Sequence, residues 1–306
     1  MSFYDHEQEL VATVARFIAD GLADGDRAVV VLTEPHRLGV EAAMRSLGVD
    51  ADVQHDRQRY VPLDAEMTLG AFLRDGSPDP DRFRATIGRF ISDARDDGSP
   101  VRFFGEMVNV LWEDGNVTGA LELEVLWNDL IADEGFELLC AYPTLHLDSS
   151  RLADLHQVCA HHSRVLPPPS YTGTPDSPES SRPGLPSRVF LPVPESIGAV
   201  RRFVDETLRA WREDHLAGDG TLIASELATN AVLHARSPFR VSIDRGVGVV
   251  CVSVQDTSAG EATQRDAQQD AADGRGMAIV EALARRWGCD SLPSGKVIWA
   301  ELGPTA

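Results

Sequence analysis

Lysine is nearly missing from this 306-residue chain: of 28 basic residues, only Lys296 is a lysine. A P-loop nucleotide site needs Gly-x4-Gly-Lys-Ser/Thr, and "SGKVIW" offers neither that spacing nor the hydroxyl, so a P-loop is excluded throughout. Cysteine is also scarce. The four, at 140, 159, 251 and 289, form no Cys-x-x-Cys pair, which gives a zinc knuckle or redox dithiol little support and leaves buried free thiols. No apolar run approaches bilayer length. The first residues, "MSFYDHEQEL", lack the basic region and apolar core of a signal peptide, so a soluble cytoplasmic protein without membrane contact is expected. Positive charge is outnumbered by 48 acidic residues, for a formal net charge of −20. Such a chain repels phosphate backbones, which argues against direct nucleic-acid binding.

What is present suggests two domains. Residues 164–188, "RVLPPPSYTGTPDSPESSRPGLPSR", are dense in Pro, Ser and Gly and lack apolar periodicity. They read as a linker, placed at 167–186 between domains at 1–166 and 187–306. Ahead of it, strand and helix patterns alternate. "RAVVVLT" (27–33) is a continuous apolar run, as in a buried parallel strand. Residues 36–48 and 79–98 have helical spacing, and 59–65, 101–107 and 136–143 are further strand candidates. The pattern predicts an α/β domain with a mainly parallel sheet. After the linker come a strand at 188–193, helices at 195–213 and 221–235, and two alternating strands within 239–256. A polar loop (257–273), a helix and two closing strands around 289–301 complete the chain. Strands adjacent in sequence predict an antiparallel or mixed sheet with helices on one face.

Three short segments of this second half carry chemistry. In "SELATNAV", Glu226 and Asn230 are four apart and share a helix face. The carboxylate could deprotonate a nucleophile, and the amide oxygen suits Mg²⁺; an exposed polar stripe is the alternative. Asp256 ends "GVVCVSVQD", where it could accept a hydrogen bond from an amino group such as adenine's, or act as an ordinary turn residue. Gly274, Arg275 and Gly276 open the helix "GRGMAIVEALARRWG". Bare backbone at a helix N-terminus, with an adjacent guanidinium, suits phosphate; a glycine-rich turn that merely starts a helix is the alternative.

Taken in order, "ELATN", "VQDTSAG" and "GRGMAIVEALARRWG" resemble the N, G1 and G2 boxes of the GHKL ATPase superfamily, most closely its bacterial anti-sigma-factor serine/threonine kinases. The closing "GKVIWAEL" is similar to the last strand of those domains. The resemblance implies an α/β sandwich over about 187–306 that binds ATP and Mg²⁺. It makes Glu226 the catalytic base, Asn230 the Mg²⁺ ligand and Asp256 the reader of adenine. Gly260, Gly274, Arg275 and Gly276 complete the nucleotide site, with 257–273 as its lid. Ser258 departs from the Asp-x-Gly-x-Gly pattern, and its Cβ restricts close approach there. Kinases of this group phosphorylate a serine or threonine of an anti-anti-sigma partner, hold a sigma factor, and are commonly dimers.

The first half resembles the MEDS sensory domain through "FYDHEQELVATVARFIADGLADGDRAVVVLTEPHR", "RYVPLDAEMTLGAFLRDGSPDPDRFR", "FGEMVNVLWEDGNVTGALELEVLWNDL" and "LLCAYP". The resemblance implies a RecA/KaiC-type fold with a small-molecule ligand. "TEPHR" lies where a P-loop would, and with no lysine this half should not hydrolyse ATP. Glu106 stands at an expected strand end, where parallel sheets place ligands. Trp112 is expected in the core and Asn116 at a turn. Three further readings follow from the residues. One is a non-catalytic binding module with an altered nucleotide site. The others are a sensor histidine kinase using His162 and a metal cluster of His156, His161 and His162; neither fits as well as a solvated helix end.

Overall fold

The computed structural model describes residues 1–95, 98–144, 152–160, 162–168, 171–175, 185–246, 248–258 and 274–303. They divide into two compact units, Met1–Pro143 and Thr144–Ala306.

In the first unit the order is β1 (Ser2–Tyr4), α1 (Glu7–Asp24), β2 (Arg27–Leu32), α2 (Glu34–Ser46), α3 (Ala51–Asp56), β3 (Tyr60–Asp64) and α4 (Ala65–Phe72). A short hairpin, β4 (Leu73–Arg74) and β5 (Ser77–Pro78), leads to α5 (Pro80–Phe83). A π-helical turn joins α5 to α6 (Arg89–Ala94). Then follow β6 (Val101–Gly105), α7 (Met107–Glu113), α8 (Val117–Glu134), β7 (Glu137–Leu139) and β8 (Ala141–Pro143). The main sheet runs β3-β2-β6-β7, and each of its pairings is parallel. A continuous apolar strand suits this place, because helices cover both faces of a parallel sheet. Four of the six β2 residues are no more than 1% exposed, and Ala28 is 2%.

One face of β2 packs on Val14, Ile18 and Leu22 of α1. Another layer is aromatic: Trp127 of α8 lies 5.0 Å from Phe83 edge-on and 4.8 Å from Phe103. Such pairs contribute about 0.5–1.5 kcal/mol each beyond their burial. Trp112 is in the core, as the sequence predicts, and meets Tyr142 edge-on. Asn116 caps α8, its Oδ1 accepting from Gly119 N at 3.0 Å. The expected strand 136–143 breaks at Cys140. Its first part pairs with β6, and its second pairs in parallel with β1 in a separate small sheet.

The second unit contains α9 (Leu152–Ala160), β9 (Thr174–Pro175), β10 (Ser187–Phe190), α10 (Glu195–Ala210), α11 (Ala217–Asn230), β11 (Phe239–Gly246), β12 (Val249–Asp256), α12 (Gly274–Leu283), β13 (Arg286–Leu292) and β14 (Gly295–Leu302). The strand order is β13-β14-β12-β11-β10-β9, and all of these described pairings are antiparallel. In β12, Val250, Val252 and Val254 are at most 1% exposed while their neighbours are half-buried, the alternation of a sheet with one covered face. α10 and α11 supply that cover. Gly220 lets them approach closely: a Cβ there would lie 2.8 Å from Leu208 Cδ1.

Part of the Pro/Ser-rich segment is ordered onto this sheet. β9 pairs with Arg188 and Val189. Tyr171 is buried, and its hydroxyl oxygen accepts from Leu191 N at 2.7 Å. Proline suits an edge strand, where no ladder hydrogen bond is needed from its nitrogen.

Candidate functional site

α11 carries Glu226 and Asn230 on one face, both half-buried, and packs against both β12 and α12. α12 begins at Gly274, two residues before Gly276. A Cβ at Gly276 would lie 2.7 Å from Glu226 Oε2, so any larger residue there would displace the carboxylate end from its present position. One turn away, Asn230 Nδ2 approaches Met277 Sδ at 3.5 Å, leaving its amide oxygen as the end suited to a cation. The structure therefore brings Glu226, Asn230 and Gly276 together. Gly260 and the loop from 259 to 273 lie outside the described residues, as does the side chain of Arg275.

Asp256 closes β12 on its covered face and is 3% exposed. Its Oδ1 accepts from Ser258 N at 2.9 Å and from Ser258 Oγ at 2.6 Å, an Asx turn reinforced by a hydroxyl. Directly across the antiparallel pair stands Lys296. Its ammonium donates to Ser258 Oγ at 2.7 Å and lies 3.7 Å from Asp256 Oδ2. The start of β14 is pressed on the same spot. Gly295 has φ +137°, and a Cβ there would lie 1.9 Å from the Asp256 carbonyl oxygen.

A second buried carboxylate lies in the first unit. Glu106 follows β6 and is 4% exposed. Its Oε2 accepts from Thr33 N at 2.8 Å and Thr33 Oγ1 at 3.1 Å, and its Oε1 bonds His36 Nδ1. Thr33 is the N-cap of α2. The carboxylate thus occupies the positive end of that helix, the seat a bound phosphate would take. The bond from Glu106 raises the His36 pKa above its ordinary value. Close by, Asn109 is 3% exposed and donates to Glu113 Oε1 at 3.0 Å, while its Oδ1 meets no partner among the described residues. Burial, with Glu106, Glu113 and Glu7 nearby, pushes the Tyr4 phenol up. Elsewhere in this unit Glu124, bonded by the Tyr142 hydroxyl, is pushed up to about 7 by burial.

Over residues 1–162, more than half its length, the chain matches the family described as MEDS: MEthanogen/methylotroph, DcmR Sensory domain. The chain belongs to the MEDS family. Residues 190–302 match the histidine kinase-like ATPase domain. No curated protein matches the chain.

The MEDS part therefore holds the parallel sheet and Glu106, and the ATPase-like part holds Glu226, Asn230, Asp256 and the Gly274–Gly276 helix start. Two participants escape the sequence reading. His36 is one; its signal is an imidazole in the first turn of a helix that follows a buried strand. Lys296 is the other; the only lysine stands out in the sequence, but its partner is set by strand register. His162 lies just past α9, its Nδ1 at 2.8 Å from the Val158 carbonyl oxygen, and His161 lies outside the described residues. Among the described residues no helix is long and apolar enough to cross a membrane.

Proposed function

We propose that this chain is an anti-sigma regulator whose ATPase-like domain binds ATP with Mg²⁺ and phosphorylates a serine or threonine of an anti-anti-sigma protein, under the influence of a small molecule on the MEDS domain. The observation that carries this reading is the placement of Glu226 and Asn230 against the bare helix start at Gly276. ATP supplies the phosphoryl group, and Mg²⁺ offsets its charge. Asn230 would hold the metal through its amide oxygen. The N–H groups at the start of α12 would hold phosphate, and in this reading Arg275 would contribute a guanidinium to the same anion. Glu226 would take the proton from the attacking hydroxyl while Asp256 accepts from the base amino group. A sigma factor is the second partner in this reading, and homodimerisation is part of it. Replacement Glu226→Ala is expected to cut phosphate transfer to the partner at least about a hundredfold. Undiminished transfer in that variant removes Glu226 from the chemistry.

A non-catalytic module is favoured by one observation, the engagement of Asp256 by Ser258 and Lys296. In that case the domain would hold a sigma factor or antagonist without turnover. Calorimetry separates the two readings, since no heat with millimolar ATP supports the second.

A further inference from the structure

Asp256 is buried beside an ammonium, yet the two charges are not locked together. Lys296 Nζ stands 3.7 Å from Asp256 Oδ2, beyond hydrogen-bond range, and directs one N–H to Ser258 Oγ. Ser258 passes the link on by donating to Asp256 Oδ1. The relay uses one oxygen of the carboxylate and one of three ammonium protons. Among the described residues no hydrogen bond reaches Oδ2. An acceptor, Oδ2, and a donor, Nζ, are therefore left side by side. The Lys296 side chain is 13% exposed and that of Asp256 3%, so both act in a poorly hydrated place where each hydrogen bond counts for more than in water.

The residue type matters here. The other 27 basic residues of the chain, 28 less this one, are arginines. An arginine opposite Asp256 would grip the carboxylate with two parallel N–H bonds and fill both oxygens. A lysine neutralises the charge as a point and keeps donors to spare.

We propose that Lys296 is a base-reading residue. Together with Asp256 Oδ2 it takes the edge of a purine that presents a donor next to an acceptor: the amino group and N1 of adenine, or N1–H and O6 of guanine. The proposal rests on the nucleotide-binding reading above and deepens it, since it makes the carboxylate one half of a two-point reader and gives Ser258 the task of setting the spacing.

The test is titration calorimetry on the full chain with ATP, GTP and inorganic triphosphate, for wild type and Lys296→Met, with a thermal melt to show that the variant is folded. Wild type is expected to bind ATP or GTP, and the preferred one names the base. Lys296→Met should weaken that nucleotide about tenfold or more, the worth of a hydrogen bond to a charged group, and leave triphosphate unchanged. Lys296→Arg should not restore affinity. Unchanged or tighter nucleotide binding in Lys296→Met overturns the proposal, because the ammonium would then only plug the carboxylate. An equal loss for triphosphate also overturns it, by placing Lys296 on the phosphates. Wild type that binds neither nucleotide overturns the nucleotide reading itself, a result distinguishable from the other two.

Discussion

Glu106 and Asp256 invite comparison. Each is an acid at the end of a buried strand, one in a parallel sheet and one in an antiparallel sheet, and each is at most 4% exposed. Glu106 has both oxygens engaged locally: a helix N-terminus and a hydroxyl take one, and an imidazole takes the other. Asp256 has one oxygen in a turn and the other facing an ammonium at a distance. A strand-end acid is therefore not a binding residue by position alone. What decides is whether its own chain has already met its hydrogen-bonding capacity.

That contrast can be broken at three points. The largest effect is expected from Gly295→Ala, which sets a Cβ against the backbone at Asp256 and at a φ that L-residues avoid. A loss of at least about 3 kcal/mol is expected, a fall of roughly 10 °C in the unfolding of the ATPase-like unit by calorimetry. Wild-type melting would show that the start of β14 yields and that Asp256 is not fixed by it.

Next, Glu106→Ala should destabilise the MEDS unit by about 2–3 kcal/mol in urea titration, because it leaves the Thr33 N–H and His36 without their acceptor. Glu106→Gln keeps one acceptor and should cost about half as much. A cost under about 0.5 kcal/mol for both would mean that Glu106 is not the structural acid described here.

The smallest effect concerns pH. The His36 pKa is raised in the folded state, chiefly by its bond to Glu106. Its contribution is fully present below the unfolded value of about 6.5 and is lost as pH rises through the folded one. Between pH 5 and 9, wild type should therefore lose under about 1 kcal/mol that His36→Gln does not lose. Parallel profiles for the two proteins would uncouple His36 from Glu106.

Much of the architecture could be read without coordinates. "AVVVL" (28–32) is apolar throughout because both faces of β2 are covered, and β11 and β12 alternate because one face of theirs is. The spacing of Glu226 and Asn230 already puts them on one helix face. What stayed hidden depends on distant pairing. Residues 136–143 look like one strand because nothing local shows that Ser2–Tyr4 will claim the second half. Thr174 and Pro175 look like linker because two residues carry no period. Ser258 was legible as a departure from a glycine pattern, but the relay it forms needs Lys296, 38 residues away and placed by the β12–β14 register.

The carboxylate seated at the head of α2 has a thermodynamic corollary for the MEDS half. With that berth taken by its own side chain and no Walker lysine in the chain, the head of α2 is not a P-loop seat for phosphate. A ligand that acts on this half by binding alone shifts it only by how much more tightly it holds one conformation than another, so a tenfold preference could shift the equilibrium by no more than about 1.4 kcal/mol.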